Sequence, residues 1–268
     1  MKTPIPASAA CIGVFDSGVG GLTVLRELRR QAPNVPLHYV ADTAHAPYGS
    51  RTADEIVHRC LRLSEHLIAQ GAAVLVVACN TATAHAVQAL RERWPGLPIV
   101  GTEPGIKPAV AATRNGRIGV LATPATIASA RYQSLLSRHS GMAQVISQPC
   151  PGLADLIERG DFESPALRDV LDRFCAPLRA AGVDTVLMGC THYPLIQPLI
   201  QAALGPDVQL LNIETAVARQ ALSRWAELGL AAVASPIVLE TTGNAAAFSA
   251  FARHALGWPE AQATLVTA

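Results

Sequence analysis

Short, continuously apolar runs alternate along this chain with longer stretches whose apolar positions recur every three or four residues. CIGVFD precedes LTVLRELRRQ, LHYVA precedes TADEIVHRCLRLSEHLIAQ, and VLVVAC precedes a helical stretch through Trp94, followed by LPIVG. The pattern restarts with RIGVLA and ATIASARYQSLLSRH. TVLMGC then precedes PLIQPLIQAAL, VQLLN precedes a helix to about Leu228, and IVLETTG with a short helix through His254 closes the series. Runs such as VLVV at 74–77 are those of strands covered on both faces. Strand–helix alternation of this kind predicts an α/β fold with parallel sheets.

A faint internal repeat divides the pattern in two. GAAVLVVACNT from Gly71 and GVDTVLMGCTH from Gly182 align without gaps, and IGV at 12–14 matches IGV at 118–120. We read two pseudo-symmetric α/β lobes. Each carries a cysteine, Cys79 or Cys190, where a buried strand gives way to a helix. That edge is where open α/β sheets bind ligands, and the helix dipole there favours a thiolate. Facing lobes would set the two thiols on opposite sides of one cleft. Such a pair suits two-base racemisation, in which one thiolate removes a Cα proton and the other thiol delivers a proton to the opposite face.

Composition narrows the classes. With 21 basic and 20 acidic residues and no run of either sign, neither nucleic-acid binding nor membrane-surface binding is expected. Hydrophobic residues make up 50%, yet charges interrupt every stretch of membrane-spanning length. MKTPIPASAA lacks the apolar core of a signal peptide, so a cytoplasmic location is expected. The cysteines at 11, 60, 79, 150, 175 and 190 form no C-x-x-C pair and no structural zinc spacing. Neither disulfides nor a metal site is therefore expected. Cys11, Cys60, Cys150 and Cys175 read as structural. Lysine occurs only as Lys2 and Lys107, which argues against a Schiff-base cofactor; no cofactor is expected.

Three corner motifs add candidate chemistry. DSGVGGLT carries Gly18, Gly20 and Gly21, but Thr23 stands where a dinucleotide fingerprint needs its third glycine. Its glycines would let backbone N–H groups approach an anion such as a carboxylate. Asp16 either binds an ammonium, assists proton transfer, or caps the helix. In APYGSRTADEI, Tyr48 and Gly49 precede a capping box from Thr52 to Glu55. In MGCTHYPL, His192 beside Cys190 is an acid/base group, a thiolate partner, or a plain cap residue.

Taken together, DSGVGG, PYGSR, VVACNTA and GCTHYPL resemble the signatures of the glutamate racemase family, cofactor-independent enzymes of the aspartate/glutamate racemase superfamily. The resemblance runs from about Ile12 to Ala250. It implies two lobes around a buried cleft, 1–98 with 212–268 on the Cys79 side and 99–211 on the Cys190 side. It implies that Cys79 and Cys190 are the acid/base pair, supported by Asp16, His192 and Glu158. Asp16, Ser17, Tyr48, Gly49, Asn80, Thr81, Thr123, Thr191 and His192 would hold the amino acid, and Cys79 would be the base for D-glutamate. The implied reaction interconverts L- and D-glutamate and supplies the D form for bacterial peptidoglycan. Two departures stand out: Glu214 replaces the family's usual aspartate, and Asn244 ends a TTGN string usually read TTGD.

Three other readings remain at this point. The same two-thiol device could racemise aspartate or a related amino acid. Cys190 with His192 could form a hydrolase, for which Cys79 would be dispensable. Two closing lobes could simply bind an amino acid. A homodimer stays open, as does the inhibition of DNA gyrase linked to some members of the family, which the balanced charge neither supports nor excludes.

Overall fold

The computed structural model describes residues 10–268. Residues 1–9, with Lys2 and most of the stretch read for a leader, lie outside the described residues. Strands β1 (Cys11–Asp16), β2 (Leu37–Ala41), β3 (Ala72–Val77), β4 (Ile99–Gly101), β9 (Val238–Thr241) and β10 (Ala263–Leu265) form one parallel sheet in the order β10-β9-β2-β1-β3-β4. Strands β5 (Arg117–Ala122), β6 (Gln144–Pro149), β7 (Thr185–Gly189) and β8 (Gln209–Leu211) form a second, in the order β6-β5-β7-β8. The expected two-sheet, all-parallel α/β architecture is borne out. The strand at 99–101 pairs with β3 and so belongs to the first sheet, just past the crossing expected at 98/99.

The continuous apolar runs follow from this layering. Val74 and Val76 point into one core with Leu25 of α1 (Leu22–Gln31), Val217 of α10 (Glu214–Glu227) and Phe248 of α11 (Ala245–Leu256). Leu75 and Val77 point the other way, into a core with Leu63 and Leu67 of α2 (Ala53–Ala69) and Leu90 of α3 (Asn80–Arg93). Neither face meets water, so no polar alternation is needed.

The sequence repeat corresponds to the order β2-β1-β3-β4, which recurs as β6-β5-β7-β8. Gly13 and Gly119 occupy matching places in β1 and β5. A Cβ on Gly13 would come 3.2 Å from Leu67 Cβ of α2, and one on Gly119 would come 2.9 Å from Leu178 Cδ1 of α8 (Pro165–Ala180). The IGV signature in each half thus lets a crossover helix lie close on its sheet.

Several elements escape the hydrophobic pattern. The sheet-edge strand β6 is only half buried, and so lacks an apolar run. The short helices α4 (Ile106–Ala112) and α7 (Leu153–Glu158) also leave no clear mark in it. ATIASARYQSLLSRH is two helices, because Ser129 ends α5 (Pro124–Ala128) and caps α6 (Ala130–His139) by accepting from Tyr132 N at 3.1 Å. PLIQPLIQAAL enters through a 3-10 turn at Tyr193–Ile196 before α9 (Gln197–Leu204). Among the described residues no helix is long and apolar enough to cross a membrane.

One buried polar knot joins the first lobe's parts. Asp42, just past β2 and fully buried, accepts from Arg59 Nε at 3.0 Å and Nη2 at 2.9 Å, from the Tyr48 hydroxyl at 2.6 Å and from the Thr242 hydroxyl at 2.8 Å. Burial works to raise its pKa, but these donors outweigh it and hold the carboxyl below its usual range. Arg59→Ala would strand that carboxylate without its counter-charge. We expect a loss of about 3 kcal/mol in urea unfolding with an unchanged m-value, only partly recovered by Arg59→Lys. An Arg59→Ala protein as stable as the parent would refute this account of the knot.

Candidate active site

The carboxyl ends of the strands from both sheets supply the site. Cys79 caps α3, its Sγ 3.5 Å from Ala82 N and 3.5 Å from Ser17 Oγ. Asp16 ends β1, where Oδ1 accepts from Gly18 N at 2.8 Å and Oδ2 accepts from the Thr191 hydroxyl of the other lobe at 3.0 Å. Cys190 follows β7, with its Sγ 3.6 Å from His192 Nδ1. His192 Nε2 lies 2.6 Å from Glu158 Oε1, which also accepts from Val19 N of the first lobe at 2.8 Å. Thr123 caps α5, and its hydroxyl lies 2.9 Å from that of Thr81 across the cleft. The 3-10 turn Tyr48–Ser50 meets the same point, since a Cβ on Gly49 would come 3.2 Å from Thr123 Cβ.

All the residues expected at the site from sequence therefore lie along one lobe-to-lobe seam, although Tyr48 commits its hydroxyl to Asp42. Asn80 donates Nδ2 to the Thr102 carbonyl at 3.1 Å, and its buried Oδ1 has no partner. An orphaned buried acceptor is costly, and an ammonium would satisfy this one. Asp42 and Thr102 were missed. Each follows a strand, LHYVA or PIVG, as Asp16 follows CIGVF, so position alone could have flagged them. The two departures have local roles: Asn244 Oδ1 caps α11 by accepting from Ala247 N at 3.0 Å, and Glu214 begins α10 with its carboxyl raised by burial. Lys107 stands exposed on α4, apart from the buried thiols.

Two expectations change. The glycines of DSGVGG make room for the opposite lobe. A Cβ on Gly18 would fall on Glu158 Oε1, and one on Gly20 would lie 2.5 Å from His192 Nδ1 and 2.7 Å from Thr191 Oγ1. The helix dipole also does not prevail at Cys79. With the thiols 5% and 6% exposed, burial pushes Cys79 up to about 12; the Asp16 carboxylate adds to this while Ala82 N–H and Ser17 oppose it. Burial likewise raises Asp16 to about 6, against the pull of His192, Gly18 N–H and Thr191. Burial works to lower His192, but Cys190 and Glu158 on either side hold the imidazole well above its usual value.

Two parallel-sheet α/β lobes with their strand-to-helix corners facing define the class, and the model of the Asp/Glu/Hydantoin racemase family matches residues 12–221; the chain belongs to that family. Within it, the chain is 54% identical to the glutamate racemase of Ectopseudomonas mendocina over 80% of this chain and 81% of that one. It is 52% identical to the glutamate racemase of Pseudomonas aeruginosa over 79% and 80% of the two chains. Among solved structures, glutamate racemase RacE1 of Bacillus anthracis superposes with a TM-score of 0.87 at 34% identity, covering 96% of this chain and 97% of that one. The Francisella tularensis glutamate racemase, solved with D-glutamate, superposes with a TM-score of 0.84 at 27% identity, covering 97% and 98%. The resemblance carried by the four motifs is borne out.

Two measurements test the geometry. Gly20→Ala would displace Thr191 and His192 from the first lobe, so we expect kcat/KM to fall by about 10²-fold with an unchanged circular dichroism spectrum; undiminished activity would contradict the packing argument. Asp16, raised from 3.8 to about 6, holds a proton in the folded state that the unfolded chain releases. Stability from this group is therefore greatest at low pH and is lost as pH rises from about 4 through 6, by about 3 kcal/mol in all. Urea unfolding of Asp16→Asn should show its stability rising relative to the parent by roughly that amount between pH 4 and 7. A pH-independent difference would mean Asp16 titrates normally.

Proposed function

We propose that this chain interconverts L- and D-glutamate without a cofactor, using Cys79 and Cys190 as acid and base on opposite faces of the substrate Cα. The observation that carries the reading is the pair of buried thiols at equivalent corners of two facing sheets, each with its own proton partners. Both thiols are more acidic than the Cα–H of an amino acid carboxylate, so the carbanionic transition state needs fixed donors and a dry site. The Asp16 carboxylate would receive the ammonium, and the unpaired Asn80 Oδ1 is open to a donor of its own. That positive charge, entering beside Cys79, offsets the burial that disfavours its thiolate. On the other face, His192 takes or returns the Cys190 proton and Glu158 steadies the imidazolium. Backbone N–H groups of the Tyr48–Gly49 and Thr191–His192 turns, with the Thr81 and Thr123 hydroxyls, suit the substrate carboxylates.

The closed seam requires the lobes to part for substrate entry, the first sheet moving with its helices against the second. The enzyme works in the cytoplasm, where its six free thiols stay reduced, and provides D-glutamate for peptidoglycan.

The test uses purified protein, no added cofactor, and L-glutamate in deuterated water. D-Glutamate should appear with deuterium at Cα while the remaining L-glutamate stays protiated at early times. Serine at either cysteine should lower kcat by about 10²–10⁴-fold. Full turnover by Cys79→Ser would instead favour the Cys190–His192 hydrolase. Racemisation of aspartate but not glutamate would reassign the substrate.

A further inference from the structure

Apart from the cleft, three side chains from three rigid elements converge on one point. Val40 of β2 pairs with Glu240 of β9, so His38 and Glu240 share one face of adjacent strands. The helix α2 crosses that face and brings His66, in its last turn, over the pair. His38 Nε2 lies 2.8 Å and His66 Nε2 2.5 Å from the same oxygen, Glu240 Oε2, and the rings meet edge to face at 5.9 Å. The three atoms lie within 4.8 Å of one another, and His38, His66 and Glu240 are 7%, 18% and 15% exposed. Among the described residues this is the one group of three such side chains close enough to share an ion.

We infer that His38, His66 and Glu240 form a binding site for a divalent transition-metal ion of the zinc type. Two imidazoles and a carboxylate suit ions of that softness, and a three-ligand set leaves the fourth tetrahedral position to water. Bonds of 2.0–2.1 Å at tetrahedral angles separate ligand atoms by about 3.3 Å. The two histidine–Glu240 contacts would open by less than about 1 Å, and the separation between the imidazole nitrogens, at most 4.8 Å, would close by no more than about 1.5 Å, which side-chain torsions provide. Each Nε2 presents its lone pair to the ion, so an imidazole with its single proton on Nε2 moves it to Nδ1, and one protonated on both nitrogens releases the Nε2 proton to solvent. The ion would tie α2 to β9, the strand that returns from the second lobe. The end of β9 in turn holds the loop after β2, where Thr241 and Thr43 share a hydrogen bond of 2.6 Å and Thr242 reaches Asp42. The role is structural, and its ligands at 38, 66 and 240 are too far apart in sequence to show a spacing motif.

Cleft thiols would also take up zinc, so the test starts from the Cys79→Ser/Cys190→Ser protein. After stripping with a chelator, titration calorimetry with Zn²⁺ should show one equivalent bound, and added Zn²⁺ should raise Tm. Adding His66→Ala or Glu240→Gln should weaken binding by at least about tenfold and abolish the Tm rise. Glu240→Gln keeps the side-chain shape, so it stands if the alanine variant folds poorly. Bound Co²⁺ should show tetrahedral absorption without thiolate charge transfer. The inference is overturned if the Cys79→Ser/Cys190→Ser protein takes up no zinc, or if neither third substitution changes the uptake.

Discussion

The hydrogen bond from the Thr191 hydroxyl to Asp16 is the contact on which the cleft depends. It reaches from one lobe into a fully buried carboxylate of the other, which otherwise has the Gly18 N–H as a donor. A carboxylate withdrawn from water needs such donors or its proton, and Asp16 sits between these outcomes with a pKa near 6. Closing the lobes therefore does two things together. It makes the Thr191 bond, and it dries the space in which Cys79, Asp16 and His192 acquire shifted pKa values. Gly18 and Gly20 permit both, because a side chain at either would strike Glu158 or His192 before the lobes met.

The lobes can meet at matching corners because each is built on the same four-strand order, with a glycine under the crossover helix. Placing both strand-end edges against one another gathers the ligand-binding rims of two α/β sheets into a single seam. The first lobe carries two further strands, β9 and β10, from the chain's return. Those strands steady the β2 loop: Thr242 joins Arg59 and Tyr48 on Asp42, so the returning segment fixes the turn that reaches Thr123.

Much of this was legible in the sequence, for local reasons. Val74 to Val77 alternate between two apolar cores, so a continuous run marks the strand, and Cys79 falls where that run stops. The half-buried β6 had no such mark. Ser129 both ends and starts a helix, which periodicity cannot resolve. The glycines of DSGVGG were visible, but their purpose lay in the other lobe, some 140 residues further along the chain at Glu158. The Asp42 knot and the His38–His66–Glu240 cluster depend entirely on tertiary approach; Asp42 and Glu240 are each served by elements that no local pattern connects.

The repeat is structural, and it does not extend to the protons. At Cys79, burial and the Asp16 carboxylate outweigh the Ala82 N–H and the Ser17 hydroxyl and push the thiol up to about 12. Cys190 has an imidazole at 3.6 Å, backed by Glu158 at 2.6 Å, which can hold the thiol's proton as an ion pair. The two corners thus differ in their surroundings: burial raises the Cys79 thiol, while the imidazole beside Cys190 is held well above its usual value. In the proposed reaction, proton removal by Cys79 needs the substrate ammonium to bring its pKa down. A near-symmetric fold thus sets unlike proton partners at its two matching corners, a hydroxyl and a carboxylate beside Cys79 and a carboxylate-backed imidazole beside Cys190.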